Sequence, residues 1–258
     1  MIKEATLFKV SMAYSVLRLI GEHLGAKPGE PTGLRYLDMS SGWGDRLIAS
    51  IAAGCSRYLG YDPNAGLQDA YRDILQQIQS YPTSKDGNPL FEVRCEPFEK
   101  AKLPREEFDV CFTSPPYFNF EIYTREENQS AMAYPSYNLW LNKFFFISLR
   151  KIWYVLREGG ILAIHIQDVA NMPHICAIMN LFIQAKLTHA KYMGVISSQT
   201  RTDEDDDQTG RPRRPIWIWK KGSSPVPSTL DKFKAERPYL HQEADFRLKK
   251  YYSKFLIS

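Results

Sequence analysis

With 258 residues, 44% of them apolar and 24% charged, the chain has the make-up of a globular protein with material for one large core. A net charge of +4, from 33 basic and 29 acidic residues, permits a polyanionic partner without demanding one. No run of about 18 apolar residues suggests a membrane span, and Lys3, Glu4 and Lys9 rule out an apolar signal core at the start. Cys55, Cys95, Cys111 and Cys176 form no close pair and read as reduced thiols. The expected setting is therefore intracellular, cytoplasmic or nuclear, with no membrane and no metal.

Residues 4–24 place Leu7, Val10, Tyr14, Leu17 and Ile20 at helical spacing, and a Pro/Gly turn follows over 27–33. Residues 34–38 read as a strand, 45–53 as a helix closing at Gly54, 58–62 as a second strand and 67–80 as a helix. A third strand spans 91–95. A fourth, Phe108 to Phe112, is stopped by Pro115 and Pro116, which have fixed φ and no N–H to continue a ladder. Residues 119–135 read as a polar loop over a site, and 136–156 as one long helix ending at Glu158-Gly159-Gly160. Strand five covers 161–166, a helix covers 174–185, and two closing strands cover 191–198 and 215–220.

Five alternations of strand and helix predict a parallel sheet with helices on both faces. The last two strands share only a loop and are expected to pair as an antiparallel edge hairpin. The chain divides into a helical extension over 1–33, a catalytic domain over 34–221, and a basic, aromatic tail over 222–258.

In such sheets ligands bind beyond the C-terminal strand ends. Here strand one ends in Asp38, followed by Gly42 and Gly44, where a ligand could approach the backbone at a helix start. A phosphate cradle would want more N–H groups and a Lys or Arg, so the carboxylate beside this loop suits a cationic or amino-bearing ligand. Asp62 closes strand two, where a carboxylate can accept both hydroxyls of a ribose. Glu96 closes strand three, positioned for a purine amino group. Singly, the two aspartates also read as turn or cap residues and Glu96 as surface charge; it is their joint recurrence at strand ends that points to a site. His165, inside strand five, reads as a packed core histidine, and Asp168 as either a helix cap or a pocket wall.

The segment Leu37-Asp38-Met39-Ser40-Ser41-Gly42-Trp43-Gly44 resembles the S-adenosylmethionine-binding motif of class I methyltransferases. Thr113-Ser114-Pro115-Pro116-Tyr117-Phe118 resembles the catalytic motif of the amino-methyltransferases that modify exocyclic amines of nucleic-acid bases. The likeness covers about residues 34–221, with the cofactor motif ahead of the catalytic one. It implies a Rossmann-like class I methyltransferase fold, α/β, with a mostly parallel seven-stranded sheet. It also implies S-adenosylmethionine as cofactor, held by Asp38, Ser40, Gly42, Gly44, Asp62 and Glu96. Ser114 and the Pro115 carbonyl would accept the two hydrogens of the target amine, with Pro116 fixing the turn and Tyr117 stacking on the base.

The implied activity is methyl transfer to an exocyclic amine of DNA, cytosine N4 first because of the serine form of the motif, adenine N6 next. Phe118 and Phe120 would add stacking to hold a flipped base. Arg211, Arg213 and Arg214 read either as phosphate contacts or as a solvated loop neutralised by the acidic run over 203–207. Such enzymes usually carry a sizeable target-recognition domain. Little chain is left for one here, so either a partner subunit or dimer supplies recognition, or recognition is loose, or the substrate is short or single-stranded. The competing expectations are methylation of a protein glutamine, which Ser114 in place of an asparagine argues against, and a silent methyltransferase fold that binds RNA or a partner. Intact cofactor acids and an intact Ser114-Pro115-Pro116-Tyr117 argue against the latter.

Overall fold

The computed structural model describes residues 8–77, 90–103, 105, 107–118, 127–196 and 215–222. Phe120, Arg211, Arg213, Arg214 and the tail beyond residue 222 lie outside these residues.

Among the described residues seven strands form one sheet in the order β3-β2-β1-β4-β5-β7-β6. They are β1 (Arg35–Asp38), β2 (Arg57–Tyr61), β3 (Phe91–Arg94), β4 (Phe108–Thr113), β5 (Leu156–His165), β6 (Ala190–Ile196) and β7 (Ile216–Lys221). The first five run parallel, and β7 lies antiparallel between β5 and β6. Both strand direction and edge hairpin match the expectation from the alternating pattern. β7 sits between β5 and β6 because a strand returning from an edge through a connecting loop pairs antiparallel, filling the slot a parallel crossover would leave.

Helices cover both faces. On one side lie α1 (Val10–His23), α2 (Asp45–Ala52) and α3 (Gln68–Gln76). Ala13, Val16, Leu17 and Ile20 of α1 are buried with Tyr36, Val110, Phe112 and Ile218 of the sheet. Leu17 and Ile20 belong to the stripe expected from the sequence, whereas Tyr14 turns out to solvent and Ala13 and Val16 take the buried face that docks α1 on the core. On the other side lie α4 (Ser130–Ala133), α5 (Tyr137–Leu139), α6 (Phe146–Val155) and α7 (Ile175–Lys186). Among the described residues no helix is long and apolar enough to cross a membrane.

The helix expected over 136–156 is not uniform. A π-helical stretch, Trp140–Phe145, separates α5 from α6. It turns Trp140, Leu141, Phe144 and Phe145 inward together, with the Trp140 and Phe145 rings stacked at 5.1 Å. The wider turn gives bulky neighbours room that an α-helical turn lacks. Strand five also starts earlier than expected, at Leu156. Glu158-Gly159-Gly160 lie within it, where the pairing with β4 slips between Phe108 and Val110.

Candidate active site

The C-terminal ends of β1, β2, β4 and β5 converge where the strand order reverses, between β1 and β4. At the base of this crevice is Asp38, fully buried at the end of β1. Its two oxygens accept five donors. Oδ1 takes Ser40 N–H at 3.2 Å, Thr113 Oγ1–H at 2.9 Å and Arg46 Nη2 at 3.3 Å. Oδ2 takes Arg46 Nε at 2.8 Å and Tyr58 Oη–H at 3.1 Å. Arg46, in the first turn of α2, is itself buried and also donates to the Ser40 carbonyl. Burial works against its charge, but the Asp38 carboxylate outweighs that and holds the guanidinium firmly protonated.

This differs from the expectation for Asp38. A carboxylate with no exposure and five donors has no lone pair turned outward for a ligand amine. Its place is beneath the glycine loop, which it holds to β4 and α2. Arg46 had no reading at all in the sequence. It lies eight residues past the aspartate, across the glycine loop, and a basic residue in the first turn of a short amphipathic helix was the available signal.

Above this ion pair the loop is open. Gly42 sits at φ +59°, and a Cβ there would meet nothing within 4 Å. Gly44, at φ +88°, is the left-handed residue before α2. Both are backbone conformations that a side chain disfavours. Gly42 N–H donates to Asp62 Oδ2 at 2.9 Å, and Asn64 N–H donates to Asp62 Oδ1 at 2.9 Å. Asp62, immediately after β2, is 9% exposed. Burial pushes its carboxyl up to about 6, against the pull of those two N–H donors. Tyr71 also hydrogen-bonds to this carboxylate. A carboxylate has about four lone-pair sites, so capacity remains for ligand hydroxyls. Glu96 follows β3, half-buried two residues beyond Arg94. Segment 127–134 leans over this side: Asn128 Nδ2 donates to the Pro63 carbonyl at 2.9 Å, and Tyr134 Oη to Glu99 Oε1 at 3.0 Å.

Ser40 joins the two halves of the crevice. Its hydroxyl lies 3.1 Å from Thr113 Oγ1 and donates to the Ser114 carbonyl at 3.0 Å. The glycine loop and the double-proline turn after β4 therefore touch. The Ser114 hydroxyl faces β5, with Oγ 3.2 Å from His165 Nδ1. Tyr117 Oη accepts the Gln167 N–H at 3.1 Å, which clasps the turn to the end of β5. Its ring is 8% exposed within the core cluster, so it does not stand open for the stacking expected of it.

Phe118 departs from its expected role. It is 6% exposed, packed near Tyr137 and Trp140 with centroids 5.9 and 6.3 Å away. Its φ of +26° is costly for an aromatic residue and is held there by that packing. The ring belongs to the core beneath the turn and offers no face for stacking on a base. Asp168 takes the cap role: its Oδ1 accepts the Cys176 N–H at 3.0 Å at the start of α7.

Phe8, just ahead of α1, reaches the same place. Its ring meets His165 edge-on at 5.2 Å and Phe112 at 5.6 Å, with Arg46 Cζ 5.4 Å from its centroid. The sequence places Phe8 within the helix expected over 4–24, whereas the helix starts at Val10 and leaves Phe8 ahead of it, where it reaches two distant strands. Among the described residues no group of three or more His, Cys, Asp or Glu side chains gathers as a metal site.

The chain matches no protein-family model and no curated protein sequence. Its fold does have counterparts. A protein classed as an S-adenosylmethionine-dependent methyltransferase from Listeria monocytogenes superposes with a TM-score of 0.50 at 11% identity, covering 83% of this chain and 98% of that one. A SAM-dependent O-methyltransferase from Thermotoga maritima superposes with a TM-score of 0.51 at 12% identity, covering 86% of this chain and 69% of the other. At such identities the likeness establishes the fold, that of the class I methyltransferases.

Proposed function

We propose that the chain transfers a methyl group from S-adenosylmethionine to an exocyclic amino group of a nucleic-acid base, cytosine N4 in DNA first and adenine N6 second. The observation that carries this reading is the hydrogen bond from Ser40 to the Ser114 carbonyl, 3.0 Å long, which ties a glycine loop to an amine-accepting turn within one crevice. A cofactor cradle and an acceptor site must adjoin for transfer between them, and here they share a bond.

The residues present fit the cofactor. Open space over Gly42 admits an amino-acid moiety against the backbone. Asp62 retains acceptor capacity for a ribose, and Glu96 stands at the next strand end for the adenine. Bound there, S-adenosylmethionine supplies an electrophilic methyl group on a sulfonium.

The chain's own contribution is positional. The lone pair of an aromatic amine is delocalised into its ring and attacks poorly. Ser114 Oγ and the Pro115 carbonyl, held on a turn that two prolines make rigid, accept the amine's two hydrogens and draw them out of the ring plane. That localises the lone pair and aims it along one line, an orientation effect that needs reacting atoms within about 3–3.5 Å. Fixed acceptors of this kind cost no reorganisation at the moment of reaction. Tyr117, fastened to Gln167, walls the pocket. A duplex base enters only if flipped out of its stack. Phosphate contact falls to Arg211, Arg213 and Arg214, and target recognition to those arginines or to a partner subunit.

The test is mass spectrometry of nucleosides from DNA and RNA incubated with the protein and methyl-labelled cofactor. Label in N4-methylcytosine from DNA is the expected outcome, and label in RNA alone would overturn the choice of polymer. Ser114→Ala should keep cofactor affinity while lowering turnover on the order of 100-fold, the usual cost of losing one preorganised hydrogen-bonding group. A wild-type protein that binds the cofactor and labels no nucleic acid overturns the reading.

A further inference from the structure

A serine hydroxyl is an ambiguous acceptor. It carries one proton and two lone pairs, and a proton turned toward an incoming amine opposes the amine's own N–H groups. Ser114 can present both lone pairs only if its proton is parked elsewhere. Among the described residues, His165 Nδ1 lies within reach of it, 3.2 Å from Ser114 Oγ. We propose that His165 is a positioning residue for Ser114, accepting its hydroxyl proton at Nδ1 and so turning the free lone pairs into the acceptor crevice. This rests on the reading of Ser114 as the amine acceptor given above.

The surroundings keep the imidazole in that attitude. The backbone of His165 is the last paired position of β5, opposite Ile216 of β7, so the Cα cannot drift. Phe8 meets the ring edge-on at 5.2 Å, from the segment ahead of α1. Ser114 is fixed from the other side, through its carbonyl, by Ser40. Both partners of the contact are thus held independently of it, which is what a hydrogen bond needs to orient a hydroxyl rather than follow it. An aspartate at position 114 would have no proton to park. The serine form makes the histidine contact necessary.

Nitrogen NMR of histidine-labelled protein at neutral pH reads the contact directly. The expected result is a proton-free Nδ1 whose resonance moves in Ser114→Ala; a protonated Nδ1 in the wild type overturns the inference. In methyl transfer, His165→Ala should lower kcat by about tenfold or more at unchanged cofactor Kd, a loss confined to the transfer step. His165→Asn, whose amide oxygen falls near the Nδ1 position, should recover kcat to within about threefold of wild type, since only an acceptor is required. An asparagine variant as impaired as the alanine one overturns the proposal, as does an alanine variant with wild-type kcat. The NMR arm needs no substrate. A failure of the methyl-transfer reading therefore shows in the activity arm alone, whereas a failure of this inference shows in both.

Discussion

At the scale of single residues the ion pair of Asp38 and Arg46 is the most exposed to mutation. Both are buried, and each neutralises a charge that the interior could not otherwise hold. Removing one partner leaves the other uncompensated, which costs about 3–5 kcal/mol. Arg46→Ala should therefore lower unfolding free energy by that amount, measured by urea denaturation; a change under about 1 kcal/mol would mean that the other donors to Asp38 suffice. Asp62 gives a different signature. Its carboxyl titrates at about 6 because burial disfavours the charge. The ionised form accepts ligand hydroxyls best, so cofactor affinity should be full above pH 6 and fall as pH drops below it, by up to about tenfold per unit. Titration calorimetry between pH 5 and 8 should show this slope in the wild type and a flat profile in Asp62→Asn. In the empty protein the sign reverses. A raised folded-state value means that the fold holds the proton more tightly than the unfolded chain does, so the stability this group contributes is lost as pH rises through about 6.

At the scale of elements the packing between β1, β2 and the loop after β1 depends on a missing side chain. Gly60 lies within β2, and a Cβ there would fall 2.2 Å from Ser41 Oγ and 2.7 Å from the Tyr58 ring. Ser41 crosses the strand at that point, 3.1 Å from Tyr58 Oη, which in turn donates to Asp38. The close approach of loop to strand seats the glycine loop over the ion pair. Gly60→Ala should push the loop outward and destabilise by about 1–3 kcal/mol, as overpacking usually does. Thermal denaturation and cofactor titration together check this. Normal stability with normal binding would show that Ser41 yields without moving the loop.

At the scale of the whole molecule, the reversal of strand order between β1 and β4 brings distant stretches to one crevice. Asp62 and Ser114, 52 positions apart in the chain, stand on opposite sides of the strand that ends in Asp38. A ligand spanning those strand ends binds only the folded chain, so it stabilises by mass action. S-adenosylhomocysteine at about 100 times its Kd should raise unfolding free energy by about 2.7 kcal/mol. Asp62→Ala should abolish most of that gain at the same ligand concentration. A wild type whose denaturation curve ignores the ligand would remove the cradle from the crevice.

The sequence by itself determined the sheet, because apolar runs capped by Gly, Pro and acidic residues recur with helices between them and parallel strands admit few arrangements. It also determined which residues end the strands, and so that Asp38, Asp62, Glu96 and Ser114 would share one edge. What only the tertiary structure decided is which way each side chain turns. Asp38 looks the same in the sequence whether it faces a ligand or a buried arginine, and the choice falls to Arg46, brought inward by packing of α2. Phe118 reads as a stacking ring until Tyr137 and Trp140 close around it. His165 reads as core until β4 delivers a hydroxyl to its Nδ1. Each of these depends on contacts across tens of residues, set by the burial of the whole sheet, and no local pattern records them.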